Sequence, residues 1–401
     1  MHSSFVLSNA SLVLPDRVLR QGALLVRDGL IEEIWEGESA GDPAHARGEG
    51  SHALPPILDC QGAYVLPRLV EMHIHGCFGK GFEQLRGGQE LIWLARRLRE
   101  RGVGTFVPTI LWDKEAVGRL VKSIEESGLP RSTVPGIHIE GPFVNPAKRG
   151  GISLANICPP DPGLLDEILA VTKGLLKIMT LAPELPGAEA LYGRLEAEGV
   201  LVSLGHSDAR GAVPLPSKAF SCTHLFNAMS GLDHRAGQEG LANLGLSGRS
   251  AWVELNADGI HVNKSAMRVA RSSVSPGSLI LTSDAVVSAG LPFGEYRYFG
   301  FTAVSGTSGV RYKESGTLIG SSKLGMEIVK SYMEATGAPL YEAAAAMSTN
   351  PSRALGLDQG RGGGIVPGAA AELFVWDKEL RACTSIRSEE HTSELQSPNT
   401  I

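Results

Sequence analysis

At 401 residues the chain is too long for one small core, and long enough for a barrel of ~250 residues with a minor domain. Its 43% hydrophobic and 20% charged residues are ordinary for a globular enzyme, and no apolar stretch approaches the ~20 residues that span a bilayer. A net charge of −6 without a basic stripe argues against nucleic acid as a partner, and five cysteines lacking any C-x-x-C spacing give neither a disulfide framework nor a zinc knuckle.

The start, M-H-S-S-F-V-L-S-N-A, has no basic segment and no long apolar run, so a signal peptide is not expected and the cytoplasm is the default compartment. Up to about residue 35 the chain reads as short strands. V-L-S-N-A-S-L-V-L and A-L-L-V-R-D-G-L-I-E-E-I alternate apolar and polar residues, and Asp28-Gly29 is a hairpin turn pair. Residues 37–54 are polar and Gly-rich, which means loop. From about residue 62 apolar runs alternate with helical segments such as G-Q-E-L-I-W-L-A-R-R-L-R-E-R-G, which stops on Gly102 as a helix should.

Eight such runs occur, at 64–73, 103–109, 134–140, 175–183, 199–206, 219–226, 251–258 and 278–284. Strands alternating with helices make parallel βαβ units, and eight of them make a (β/α)8 barrel. A last apolar segment within 362–377 is expected to return to the N-terminal sheet. The expected organisation is therefore a small β-sandwich domain from 1–61 plus 358–385, and a TIM-like barrel over 62–357. Residues 386–401 are set apart as a disordered, non-native tail. The stretch 387–401 is polar and patternless and resembles a translated sequencing-adapter read.

Most of the eight runs end in a polar or ionisable residue: His73 and His75, Glu140, His206, His224, Asp258, Asp284. The C-terminal strand ends of such a barrel form its active face. His73 and His75, two apart on a strand, share one face and would send two imidazoles into one site, although His-x-His alone also describes two satisfied surface histidines. Glu140, His206 and His224 come from three further strands. A His2–carboxylate set leaves a position open for water, as catalytic metal sites do. Taken singly, Glu140 also reads as the partner of an arginine and His206 as a core histidine. Asp284 can take a proton from an attacking water and return it to a leaving amine, or cap the next helix.

Seven motifs carry a resemblance: H-I-H-G at 73, G-I-H-I-E-G-P-F-V-N at 136, S-L-G-H-S-D-A at 203, T-H-L-F-N-A-M-S at 223, A-D-G-I-H-V at 257, T-S-D-A at 282 and N-P-S-R-A-L-G-L at 350. With them the chain, from residue 1 to about 380, resembles the N-acetylglucosamine-6-phosphate deacetylase family of the amidohydrolase superfamily. The resemblance implies metal-dependent deacetylation of an N-acetylamino sugar 6-phosphate, giving glucosamine-6-phosphate and acetate, in amino-sugar catabolism. It implies one or two divalent ions per subunit, Zn, Fe, Mn or Co. Glu140, His206 and His224 would hold one, and His73 and His75 a second, with Glu140 bridging. It gives Asp284 the proton-transfer role, and it sets Asn227, the backbone at Ala228, and His261 against the sugar phosphate. Arg235 matches an arginine that reaches across a homodimer interface to the neighbouring phosphate, and it reads equally as a solvated charge. His138, two before Glu140 on the same strand face, is expected to be a hydrogen-bond partner behind the metal set.

One departure stands out. The family follows E-G-P-F-x-N with K-[KR]-G-A-H, whose histidine contacts the acetamide, whereas this chain has A-K-R-G-G-I and so places Ile152 there. An apolar side chain cannot donate to a developing oxyanion, and losing one such donor costs about 3 kcal/mol in analogous sites. Another group, the second metal, or a different substrate must make up for it. Two other readings remain. One is a different amidohydrolase for a related N-acyl or cyclic amide; its cyclic-amide members carry a carboxylated lysine on the fourth strand, whereas Lys177 stands at the wrong end of that run. The other is a barrel retained only for binding.

Overall fold

The computed structural model describes residues 4–37, 55–357 and 363–386. The adapter-like stretch 387–401 and most of the 37–54 loop lie outside the described residues. Two compact units emerge: one from residues up to Val70, Leu98–Gly104 and residues from Ala338 onward, the other from Glu71–Arg97 with Thr105–Gly337.

The first unit contains a seven-stranded sheet. Phe5–Val13 pairs antiparallel with Val18–Arg27, which pairs with Leu30–Glu36. The turn between the last two is Asp28-Gly29, with φ of 50° and 78°, the positive values a two-residue hairpin requires. On its other side Phe5–Val13 runs parallel to Ile57–Asp59 and Tyr64–Pro67. Leu373–Trp376 then docks antiparallel on Tyr64–Pro67 and is followed by Cys383–Ile386. Both chain ends thus build one sheet over a core that includes Leu7, Leu12, Leu24, Val65 and Leu373. The run read as 64–73 is in fact two strands. Pro67, which has no N–H to offer a ladder, closes the first, and the barrel strand begins at Leu69.

The second unit holds all of the barrel but the first residues of two strands. The barrel strands are β1 (Leu69–Ile74), β2 (Val103–Ile110), β3 (Ile137–Glu140), β4 (Leu176–Leu181), β5 (Leu201–Leu204), β6 (Ser221–Cys222), β7 (Trp252–Asn256) and β8 (Leu279–Thr282). They form one sheet in chain order, with parallel pairing. A parallel bridge between Ile74 and Ala285 closes the ring, with Asp284 N donating to His73 O at 3.0 Å and His75 N to Ala285 O at 2.8 Å. Sequestration on both faces explains why these strands read as continuous apolar runs. Every residue of β2, for example, is buried. Lys114–Ser127 shows how the intervening helices are delimited: the Asp113 carboxylate accepts from Ala116 N at 2.8 Å, and Gly128 ends the helix at φ 63°.

After β8 the chain makes a four-stranded antiparallel sheet that the sequence reading did not anticipate: Gly294–Tyr298, Phe301–Gly306, Gly309–Tyr312 and Leu318–Gly320. Tyr298, Ala303 and Val310 pack with Val286 and Val287, just beyond Asp284. No helix among the described residues is long and apolar enough to cross a membrane.

Candidate metal centre

The strands stop just short of the chemistry. His206, His224 and Asp284 each lie two residues past the end of β5, β6 and β8, at φ of 48°, 30° and 48°. These left-handed values are uncommon for non-glycine residues and turn the chain sharply as it leaves the barrel. Two glycines allow the close packing this needs. A Cβ on Gly205 would meet Thr223 Cβ at 2.6 Å, and one on Gly320 would meet Asp284 O at 2.7 Å.

Glu140, at the end of β3, sits among four imidazoles. Its Oε1 is 3.0 Å from His206 Nε2, 3.1 Å from His224 Nε2 and 3.3 Å from His73 Nε2, while its Oε2 is 3.2 Å from His75 Nε2. Asp284 Oδ1 completes the cluster, 3.5 Å from His75 Nε2 and 3.7 Å from His73 Nε2. Two groups here have ligand atoms close enough together to hold a metal ion: His73–His75–Glu140 and Glu140–His206–His224.

The hydrogen bonds behind the rings test whether a cation fits. His206 Nδ1 lies 2.9 Å from the Lys148 carbonyl oxygen, which can only accept, so Nδ1 carries the proton and Nε2 presents a lone pair. That lone pair lies 3.0 Å from a carboxylate oxygen and 3.1 Å from His224 Nε2. Such an arrangement repels unless a proton or cation lies among the acceptors. His73 repeats the logic: Nδ1 faces Glu254 Oε2 at 3.0 Å, leaving Nε2 buried without a hydrogen-bond partner. The field agrees. Burial disfavours a charged His73, yet Glu140, Glu254 and Asp284 outweigh it and hold its pKa well above the ordinary value. Burial also opposes ionisation of Glu140, but His206 and His73 hold its carboxyl well below the usual range. Positive charge belongs at this point, and nitrogen and carboxylate oxygen suit a divalent ion.

The supporting residues include several that sequence reasoning missed. Glu254 and Asn256 alternate on β7, so one face carries both; Glu254 grips His73, and Asn256 Nδ2 donates to Asp284 Oδ2 at 3.1 Å. A glutamate inside the apolar run W-V-E-L-N was the available signal. Glu71, two before His73, accepts from Ser283 N at 3.2 Å and so ties β1 to β8, its carboxyl pushed up to about 7 by burial. His138 bonds Thr180 Oγ1 at 2.8 Å and packs edge-on against His73, and no hydrogen bond links it to Glu140.

A cavity of about 190 Å³ opens over the cluster. Asn227, Ala228 and His261 line it with Asp284, and the inserted sheet adds Tyr298, Phe299 and Tyr312. Asp258, one of the ionisable strand ends, is absent from that lining. It grips His261 instead, Oδ2 to Nδ1 at 2.8 Å. Burial disfavours charge on His261, but Asp258 overrides it and raises the imidazole above its ordinary value. Ile152 also lines the cavity, 3% exposed, packed with Leu111 and Val144 and against Ile157 and Phe299. Arg235 is exposed and does not line the cavity; its backbone N–H bonds Asp233 Oδ1 at 3.0 Å.

The amidohydrolase family model matches residues 64–401. The N-acetylglucosamine-6-phosphate deacetylase of Bos taurus is 34% identical over 388 residues, covering 91% of each chain. The N-acetylgalactosamine-6-phosphate deacetylase of Escherichia coli O157:H7 is 31% identical over 380 residues, 90% of this chain and 96% of its own. Among solved structures, the N-acetyl-D-glucosamine-6-phosphate deacetylase of Mycobacterium smegmatis in complex with N-acetyl-D-glucosamine-6-phosphate superposes with a TM-score of 0.80. Its identity is 27%, and the match covers 97% of this chain and 99% of that one.

Proposed function

The chain belongs to the amidohydrolase family, and we propose that it removes the acetyl group from an N-acetylamino sugar 6-phosphate, converting N-acetylglucosamine-6-phosphate to glucosamine-6-phosphate and acetate. The observation that carries this reading is the Glu140 carboxylate set among four imidazoles with Asp284 alongside, at the mouth of one cavity.

Glu140, His206 and His224 would hold one divalent ion, and His73 and His75 with Glu140 a second, of Zn, Fe, Mn or Co. Such an ion supplies Lewis acidity toward the acetyl carbonyl and makes a water easier to deprotonate. Asp284 takes the proton of the attacking water and later delivers it to the amine nitrogen, and Asn256 keeps its free oxygen turned to the imidazoles. His261, protonated more readily than an ordinary histidine, meets the anionic or hydroxylated side of the sugar with Asn227 and the Ala228 backbone. Arg235, exposed on its own chain, would serve the phosphate bound by a neighbouring subunit, which makes the active unit a homodimer; its guanidinium suits phosphate oxygens. The compartment consistent with five free thiols is the cytoplasm.

The N-acetylgalactosamine-6-phosphate deacetylase, nearly as similar as the N-acetylglucosamine-6-phosphate deacetylase, supports a second reading in which the sugar is the galactosamine epimer. A deacetylation assay over both epimers, with and without the 6-phosphate and with each candidate metal, decides. Acetate released only from phosphorylated sugars is expected. No release from any of them with any metal overturns the assignment.

A further inference from the structure

We propose that Tyr298 is a catalytic hydrogen-bond donor, its hydroxyl directed at the amide oxygen as that oxygen becomes an anion. This rests on the deacetylase reading. Attack on an amide carbonyl moves charge onto oxygen, and donors aimed at that charge in a water-poor cavity contribute strongly to rate. The donors lining this cavity are mostly engaged. Asn227 Nδ2 donates to the carbonyls of His224 and Leu225, both at 3.3 Å. His261 Nδ1 is taken by Asp258, and its other nitrogen is given to the sugar in the reading proposed above. Tyr312 Oη faces the Gly151 carbonyl at 3.4 Å. The Ile152 side chain has no donor, and its backbone N–H is given to the Arg149 carbonyl at 2.9 Å.

Tyr298 remains. It lines the cavity, is 4% exposed, and its hydroxyl has no hydrogen-bond partner among the described residues. The hydroxyl oxygen is not itself sealed from the cavity that its ring lines, so a ligand oxygen can accept from it there. The ring is fixed: it meets Phe299 edge-on at 4.6 Å, lies 6.5 Å from Tyr312, and packs in the cluster of Val286 and Val287. Those valines follow Asp284 after the single residue Ala285, so the segment that carries the proton-transferring acid also seats the tyrosine. Burial, reinforced by Glu83, keeps the phenol protonated well beyond its ordinary range, so it donates without losing its proton. No bond is made or broken at Tyr298.

The test is Tyr298→Phe in the metal-loaded enzyme. The change removes one oxygen and no internal hydrogen bond, so thermal midpoint and metal content should stay at the parental values. The expected kinetic result is a fall in kcat of about 100-fold with KM little changed. Calorimetry should show a comparable loss of affinity for a phosphonamidate analogue, which places a tetrahedral anion at the reacting centre, and unchanged affinity for glucosamine-6-phosphate. Unaltered kcat, equal weakening of both ligands, or a fall in midpoint of several degrees (the hydroxyl then serving the fold) each overturns the proposal. Absence of turnover in the parent enzyme would instead remove the deacetylase reading beneath it.

Discussion

Replacing Glu254 separates metal binding from stability. The side chain is fully buried on β7; Oε2 meets His73 Nδ1 at 3.0 Å, and Oε1 has no hydrogen-bond partner. In Glu254→Gln the amide oxygen can still accept from Nδ1–H, so the ring keeps its tautomer, but the charge is gone. A charge-assisted hydrogen bond contributes about 1.5–3 kcal/mol and a neutral one about 0.5–1.5, so His73 loses about 1 kcal/mol of orientation. Against that, the variant removes a buried, half-satisfied carboxylate whose desolvation destabilises the metal-free protein. Partners behind ligating histidines typically govern 10–100-fold in metal affinity, about 1.4–2.7 kcal/mol. The expected outcome is a split: the metal-free Gln variant unfolds at or above the parental temperature while its affinity for the ion at His73 and His75 falls. In Glu254→Ala both quantities fall, because a cavity and a lost acceptor are added. Chelator competition read against calorimetric unfolding measures both. Parental metal affinity in the Gln and Ala variants alike would refute the orienting role of Glu254.

Asp284→Asn should abolish turnover with metal content near normal, measured by elemental analysis; activity within a few-fold of parent removes Asp284 from the mechanism, and loss of metal recasts it as a ligand. Arg235→Ala should raise KM for the phosphorylated sugar, with little change in kcat and none on the unphosphorylated analogue; equal impairment on both, or an active monomer by sedimentation, refutes a phosphate contact from the neighbouring subunit. The Asp258–His261 pair sets a pH dependence. Asp258 is held below its ordinary value, its own burial overcome by His261, and His261 is held above 6.5. Their mutual stabilisation is therefore lost as pH falls through the depressed Asp258 value, and lost again as pH rises through the raised His261 value. KM for the phosphorylated sugar should rise across that upper window, and Asp258→Asn should move the rise to lower pH; an unmoved profile removes His261 from binding.

Much of the architecture was legible because burial writes itself into sequence. A parallel strand covered on both faces must be apolar throughout, so β1 to β8 appear as runs, and polar residues at their ends mark the face that opens to a site. The hairpin at Asp28-Gly29 was equally plain, because two successive positive φ values select those residues. The inserted sheet was not. Its strands are short and half-exposed, as in Gly294–Tyr298, and their stability comes from Val286 and Val287 earlier in the chain, which no local pattern reveals.

The same division runs through the site. Which residues hold nitrogen and oxygen at the strand ends is a property of sequence, because alternation along a strand fixes the face on which His73 and His75 stand. The Asp258–His261 contact spans only three residues, but that Glu254 orients His73, that Asn256 orients Asp284, and that Ile152 and Tyr298 line one cavity depend on distances between segments far apart in the chain. Hydrogen bonds and desolvation act over a few ångströms of space, and only ring closure of the barrel brings those groups within that range.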